Sequence, residues 1–289
     1  MLSDRLARLA LSADRLRCGM KAHYCEVDGQ PWHFLQGGRR GADTLLMLHG
    51  FGADKDNWTR FAGQLSRDYH IVIVDLPGFG DNPCRPGLDY SMAAQAERLC
   101  ALLEQLSIAR CHVLGSSMGG HLAALYAHRF PNQVLSLCLL SNGGIKAPQL
   151  CDMERALQRG VNPLLVSSEA DFDRLLALVT EKRPFLPKWV RAYMARAAVA
   201  RRECIAGIFR QYQQEIYGGL EGLLADLQLP VLVIWGQQDR VLDVSSCEVM
   251  RPLLGAAEFE IMADTGHLPM LERPAATARR YRRFLAERV

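Results

Sequence analysis

The twenty residues His112–Pro131, "HVLGSSMGGHLAALYAHRFP", decide how the whole chain is read. A short apolar run enters Gly115-Ser116-Ser117-Met118-Gly119, and an apolar pattern of helical period continues to Pro131. This is strand, sharp turn, helix, with G-x-S-x-G at the turn. A side chain presented on so tight a turn tolerates no bulky neighbours, hence Gly115 and Gly119, and Gly120 lets the helix approach the sheet. The spacing singles out Ser117 as a nucleophile and leaves Ser116 as a turn residue. The helix start also favours negative charge developing beside Ser117. The alternative is a glycine-rich turn with an incidental serine, and only partner groups elsewhere in the chain decide between them.

A serine hydroxyl needs a base to take its proton. Of eight histidines, His267 in "IMADTGHLPMLERP" follows an apolar run ending near Met262, on a loop able to reach a strand's carboxyl end. His121 and His128 fall inside the helix after Ser117 and read as packing or surface residues. The base in turn needs an acid to hold its tautomer. Asp239, in "VIWGQQDRVL", closes a buried strand and produces the order Ser…Asp…His. Asp243 and Asp264 are its rivals, the first one turn further on and the second a loop-ordering residue near His267. Two backbone amides complete the set as oxyanion donors: Met118, directly after the nucleophile, and Phe51 in "TLLMLHGFGADKDNW", where His49 orders a glycine-rich loop.

Outward from this centre, short apolar runs alternate with helical patterns, which predicts an α/β fold with a mostly parallel central sheet flanked by helices. Strands are expected at Thr44–Leu48, Ile71–Asp75, Cys111–Leu114, Val134–Leu140, Val231–Trp235 and Phe259–Met262. An antiparallel hairpin, Lys21–Val27 with Trp32–Gln36, turns at Asp28-Gly29. Helices are expected at Met92–Leu106, Met118–Phe130 and Ala275–Glu287. The alternation breaks after Ser141 and resumes at "LPVLVIWG". Residues 146–227 therefore read as a helical cap inserted into a core of residues 20–145 and 228–289, over the strand ends where ligands bind. Residues 1–19 form a separate amphipathic segment.

A net charge of +3 is too small to argue for nucleic acid, and no such partner is expected. Nine cysteines show neither C-x-x-C pairs nor a disulfide framework, so reduced thiols in a cytoplasmic protein are expected, with no metal. The first segment alternates Leu2, Leu6, Leu9 and Leu16 with Arg5, Arg8, Arg15 and Arg17. It reads either as a helix on the inner face of a membrane or as a helix packed on the body. The stretch Lys182–Arg202 holds seven basic residues and no acidic one, interleaved with Phe185, Trp189 and Tyr193. It is a second candidate for peripheral membrane contact, with a solvated helix as the alternative.

With these elements in order, the chain resembles the α/β-hydrolase superfamily from Lys21 to its end, through "HGFGADKDNW", "DLPGFG", "GSSMGG", "WGQQD" and "DTGHLPMLERP". Within it, the chain looks like the monoacylglycerol-lipase and bacterial lipase/phospholipase A branch, whose members often sit at membranes. The resemblance implies carboxylic-ester hydrolysis on lipid-like acyl esters. It also implies nucleophile Ser117, acid Asp239, base His267, oxyanion donors Phe51 and Met118, and no cofactor. Trp58, Leu268 and Met270 are the expected pocket walls by position. Ser116 departs from the histidine common before the nucleophile in that branch. The rival enzyme is a C–C hydrolase of meta-cleavage products, which usually carries asparagine before the nucleophile and tryptophan after the histidine. A non-catalytic ligand-binding protein on the same fold is the rival of a different class.

Overall fold

The apolar runs become the middle of one eight-stranded sheet. A computed structural model describes residues 2–289. Its strands are β1 (Met20–Val27), β2 (Gln30–Gly38), β3 (Thr44–Leu48), β4 (His70–Val74), β5 (Cys111–Ser116), β6 (Val134–Leu140), β7 (Val231–Gly236) and β8 (Glu258–Met262). They lie in the order β1-β2-β4-β3-β5-β6-β7-β8. β2 pairs antiparallel with β1 and β4, and the remaining pairs are parallel. The hairpin turns where the sequence predicts, with Asp28 and Gly29 at φ 51° and 68°, the positive angles a two-residue turn requires.

β3, β5 and β7 are buried along their whole length, because helices cover both faces of a parallel sheet. One face carries α1 (Leu2–Arg17), α2 (Thr59–Leu65), and, from the end of the chain, a short helix Pro269–Glu272 and the long helix Pro274–Arg288. The other carries α3 (Met92–Gln105), α4 (Met118–Arg129) and the helix Ser246–Leu253. From β3 the chain crosses to β4 on one side and later to β5 on the other. The crevice at the carboxyl ends of β3 and β5 is therefore the switch point of the sheet, where open α/β folds place ligands.

Five helices intervene between β6 and β7: α5 (Asp152–Gln158), α6 (Glu169–Val179), α7 (Lys188–Ala200), α8 (Arg202–Tyr212) and α9 (Glu221–Leu224). In the numbering that follows, Ser246–Leu253 is α10, Pro269–Glu272 is α11 and Pro274–Arg288 is α12. The Arg201 guanidinium holds this insertion to the core by donating to the carbonyls of Gly78 (2.7 Å), Asn82 (2.8 Å) and Gly80. Beside it, Cys84 and Cys204 form a disulfide with their Cα atoms 6.0 Å apart. The expectation of nine reduced thiols fails at these two residues. They lie 120 positions apart, so no local spacing announces the pair; the other seven cysteines are free.

The segment read as amphipathic is α1, and it packs on α7 with Ala7 fully buried and polar side chains joining the two helices. Arg8 donates to the Tyr193 hydroxyl (3.2 Å), Arg196 bonds Asp4, and Arg15 makes a two-pronged ion pair with Asp56 (2.6 Å). Leu6, Leu9 and Leu16 are left 50–65% exposed, an unusual disposition for a helix already docked on a body.

Candidate active site

Ser117 follows β5 directly and holds φ 56°, ψ −120°, a backbone conformation that costs a non-glycine residue on the order of 1–3 kcal/mol. Its backbone is pinned from every side. The Ser117 amide donates to Leu140 (3.0 Å), and its carbonyl accepts from Gly120 (2.9 Å), His121 (3.0 Å) and Gly143 (3.0 Å). The glycines around it are steric necessities: a Cβ on Gly115 would lie 2.1 Å from the Gly119 carbonyl oxygen, and one on Gly119 2.3 Å from that of Leu48. Ser117 occupies the N-cap of α4 without making a capping bond, so its hydroxyl is uncommitted. Ser116 is fully buried at the end of β5.

The loop after β3 passes beside that hydroxyl, since a Cβ on Gly50 would lie 3.1 Å from Ser117 Cβ and 3.6 Å from Oγ. His49 shapes the loop. Its Nε2 accepts from the Leu76 amide (3.0 Å), which leaves Nδ1 to donate to the Gly50 carbonyl (2.8 Å), and burial pushes its pKa down, keeping it neutral. Phe51 comes next, and Met118 opens α4, where the first amides have no acceptor within the helix. Both amides thus sit at the switch point beside Ser117.

Asp239 and His267 meet. His267 Nδ1 lies 2.8 Å from Asp239 Oδ2, with both side chains at most 4% exposed. The second carboxylate oxygen accepts from the amides of Val241 (2.8 Å) and Leu242 (3.0 Å), so the carboxylate cannot rotate without losing three bonds. The rivals have other work. Asp243 accepts from the Ser245 amide (2.9 Å), and the exposed Asp264 faces Lys182 (3.3 Å) and Arg273 (3.4 Å).

Several supporting residues have no signature in the sequence. Gln238 joins the two loops, its amide donating to the Thr265 carbonyl (2.9 Å) and its side chain accepting from the Thr265 amide (3.0 Å). Glu272 accepts from Gly266 (2.9 Å) with one oxygen and from Glu181 (2.8 Å) and Lys182 (2.9 Å) with the other. It ties the His267 loop to the insertion, and the His267 amide donates to Val179 at the end of α6 (3.1 Å). Beneath the Phe51 loop, buried Asp75 accepts from Lys55 Nζ (2.5 Å) and from the amides of Lys55 and Asp81 (both 2.8 Å). A Cβ on Gly80 would lie 2.1 Å from that carboxylate, so "ADKDNW" and "DLPGFG" are two halves of one buried ion pair.

Ser117 and Phe51 open onto a cavity of about 20 Å³, closed by Met153, Leu164, Tyr212 and Ile216 of the insertion and by Val241 and Leu242. Phe51 packs against Tyr212 (6.4 Å between ring centroids) and Phe209 (5.5 Å). The expected walls lie elsewhere. Trp58, Leu268 and Met270 are packed in the apolar cluster on the opposite face of the sheet, Trp58 against Phe61 at 5.5 Å. Leu268 adjoins His267, but its side chain goes under the sheet while the imidazole faces Asp239.

The pattern of the alpha/beta hydrolase fold family matches residues 43–274, most of the chain. The chain belongs to the α/β-hydrolase family. This α/β-hydrolase is 34% identical to Lipase 1 of Psychrobacter immobilis over 259 residues, 89% of this chain and 81% of that one. It is 29% identical to mouse (Mus musculus) monoacylglycerol lipase ABHD6 over 284 residues, 94% of this chain and 84% of that one. Among solved structures it is similar to a membrane phospholipase A described as a bacterial virulence factor. The identity is 43% and the TM-score 0.96, covering 99% of this chain and 92% of that one.

Proposed function

We propose that this protein is a serine hydrolase of carboxylic esters with lipid-like acyl groups, acting through an acyl-enzyme. The observation that carries the reading is the buried 2.8 Å contact between Asp239 and His267, at the strand ends that also present Ser117. The lipase relatives support the ester class. Ser117 Oγ attacks the acyl carbonyl as His267 takes its proton, and Asp239 stabilises the imidazolium. The Phe51 and Met118 amides receive the oxyanion, a role worth about 3–4 kcal/mol per donor in other enzymes. His267 then returns the proton to the departing alcohol, and water repeats the cycle on the acyl group. Residues 146–227 serve as the cap of the site, and residues 20–145 with 228–289 as its core. The C–C hydrolase reading is disfavoured by Ser116 and Leu268, at positions where those enzymes usually carry asparagine and tryptophan.

The test is hydrolysis of p-nitrophenyl esters of two to sixteen acyl carbons by wild type and Ser117→Ala, together with labelling by an organophosphorus probe. A Ser117-dependent optimum at medium or long chains is expected. Retained labelling in Ser117→Ala would reject Ser117 as the nucleophile.

The same protein touches a membrane surface peripherally. Among the described residues no helix is long and apolar enough to cross a membrane. Exposed Leu6, Leu9 and Leu16 of α1 adjoin α7, where Trp189 is 41% exposed, and Phe185 just before it is 83% exposed, all among basic side chains. Sedimentation with anionic vesicles, lost in a triple Leu6→Ser, Leu9→Ser, Leu16→Ser variant, is the expected outcome; equal sedimentation would remove this surface. The expectation of a cytoplasmic location leaned on reduced thiols, and the Cys84–Cys204 disulfide takes that support away.

A further inference from the structure

Ile205, Ile208, Phe209 and Tyr212 recur at helical spacing along α8 and form its buried stripe. Packing alone asks only for an apolar side chain at 212, so the hydroxyl needs a reason of its own. Tyr212 lines the cavity at Ser117, about 20 Å³, which has room for one water-sized group and not for a chain. With the insertion in this position, only the reacting end of a substrate fits there. Of the described residues lining that cavity, Ser117 and Tyr212 alone carry a polar side-chain atom; the others are Phe51, Met153, Leu164, Ile216, Val241 and Leu242.

Tyr212 is 3% exposed, and its hydroxyl has no hydrogen-bond partner among the described residues. Burial, with Glu215 and Tyr217 nearby, raises its pKa, so the phenol keeps its proton and stays a donor. A buried donor without an acceptor is destabilising, and phenylalanine would pack the same ring without one. The chain nevertheless makes room for the oxygen. A Cβ on Gly143 would lie 2.5 Å from Tyr212 Oη, with its next neighbours, the Ile216 and Ser117 carbonyl oxygens, at 3.8 Å. Gly143 does not have a positive φ, so what its missing side chain admits is this hydroxyl. The Gly143 amide donates to the Ser117 carbonyl (3.0 Å), which puts the phenol oxygen beside the nucleophile's own turn.

The neighbours of the ring decide which substrate atom the hydroxyl meets. The ring stacks on Phe51 (14°, 6.4 Å between centroids) and lies 5.9 Å from that of His121. Phe51 belongs to the loop after β3 and His121 to the start of α4, the two elements that offer the oxyanion amides. We propose that the Tyr212 hydroxyl is a third donor to the acyl carbonyl oxygen as it becomes the oxyanion, supplied by the insertion alongside the amides of Phe51 and Met118. The proposal rests on the ester-hydrolase reading above and adds a catalytic residue to it. No bond to Tyr212 is made or broken: the proton stays on the phenol, and its hydrogen bond strengthens as charge develops on the substrate oxygen. The insertion then completes the site as well as covering it.

The experiment measures kcat, KM and Tm for wild type, Tyr212→Phe, Gly143→Ala and the double variant, on p-nitrophenyl laurate and ethyl laurate. An oxyanion forms in both half-reactions, so Tyr212→Phe is expected to lower kcat by about 10- to 100-fold on both esters. Its Tm should hold or rise, since the ring packing stays and a buried unpaired donor is gone. Gly143→Ala is expected to cost a comparable factor by displacing the hydroxyl, and to cost nothing further in the double variant, where the methyl group has room. Unchanged kcat in Tyr212→Phe, or a loss confined to KM or matched by a fall in Tm, would overturn the donor. A loss much larger on the ethyl ester would place the hydroxyl at the leaving oxygen and overturn the assignment to the carbonyl. Absence of Ser117-dependent turnover on both esters in the wild type would instead remove the esterase reading beneath it.

Discussion

The loops that hold Asp239 and His267 differ in kind from the helical insertion that covers them. The loops hang from the fully buried β7 and its neighbour β8, and both carboxylate oxygens of Asp239 are engaged. The insertion divides: Ile205, Ile208, Phe209, Tyr212 and Ile216 join the main apolar core, while Val166, Phe172 and Ala195 form a small outer cluster of their own, with Arg201, a disulfide and Glu272 tying the whole to the core. On the function proposed above, the reacting groups would be placed by the tightly bonded loops, and the room for substrate by an insertion only part of which belongs to the main core. Binding and lid segments are drawn from the less stable end of a structure for this reason.

That contrast can be broken at four points. The largest expected effect is from Asp239→Asn, which keeps the acceptor for Val241 and Leu242 but favours the wrong histidine tautomer. Turnover of a p-nitrophenyl ester should fall by about three to four orders of magnitude with little change in Tm, and near-native turnover would move the acid's role elsewhere. Next, replacing both Cys84 and Cys204 by serine should cost about 2–5 kcal/mol. Hydrogen exchange should rise in 188–212 and not in β5 or β7; uniform loss of protection would mean the insertion and sheet unfold as one. Glu272→Ala, which releases the His267 loop from the insertion, should lower kcat by about 10- to 100-fold, and an effect on KM alone would contradict its positioning role.

The smallest effect concerns the Phe51 loop. Burial, with Asp56 and Asp75 nearby, pushes the Asp54 pKa up to about 7 from an ordinary 3.8. Folded Asp54 retains a proton that the unfolded chain releases, so its contribution is present below pH about 4 and is lost as pH rises through 7. Asp54→Asn, always neutral and still able to accept from Asp56, should raise Tm at pH 8 and leave it nearly unchanged at pH 4. An equal rise at both values would place the cause outside titration.

What could be read from the sequence was local. Six parallel strands fall within a residue or two of their expected bounds, and the continuous burial of β3, β5 and β7 leaves an unmistakable apolar run. The tight turn at Ser117 was legible from its glycines, and the loops that bring Asp239 and His267 together from their places after strands. The pocket walls were not. Tyr212, Ile216 and Met153 reach Ser117 only through the docking of the insertion, and the side chain of Leu268 is decided by which way one loop residue faces. The Cys84–Cys204 and Lys55–Asp75 pairs are contacts between distant or separately read segments, with no periodicity to mark them.

The insertion has one further consequence, visible in the wiring of the sheet. β6 and β7 are neighbours, with Leu137 opposite Val231 and Leu140 opposite Ile234. A crossover between adjacent parallel strands requires only about a dozen residues, so most of the chain between them is topologically surplus. It is exchangeable cargo: a different stretch could be grafted at the same two junctions without re-threading a strand, provided it brought an arginine and a cysteine to the places of Arg201 and Cys204. Diversification of substrate range in such a protein can proceed by replacing whole connections while the reacting groups stay where they are.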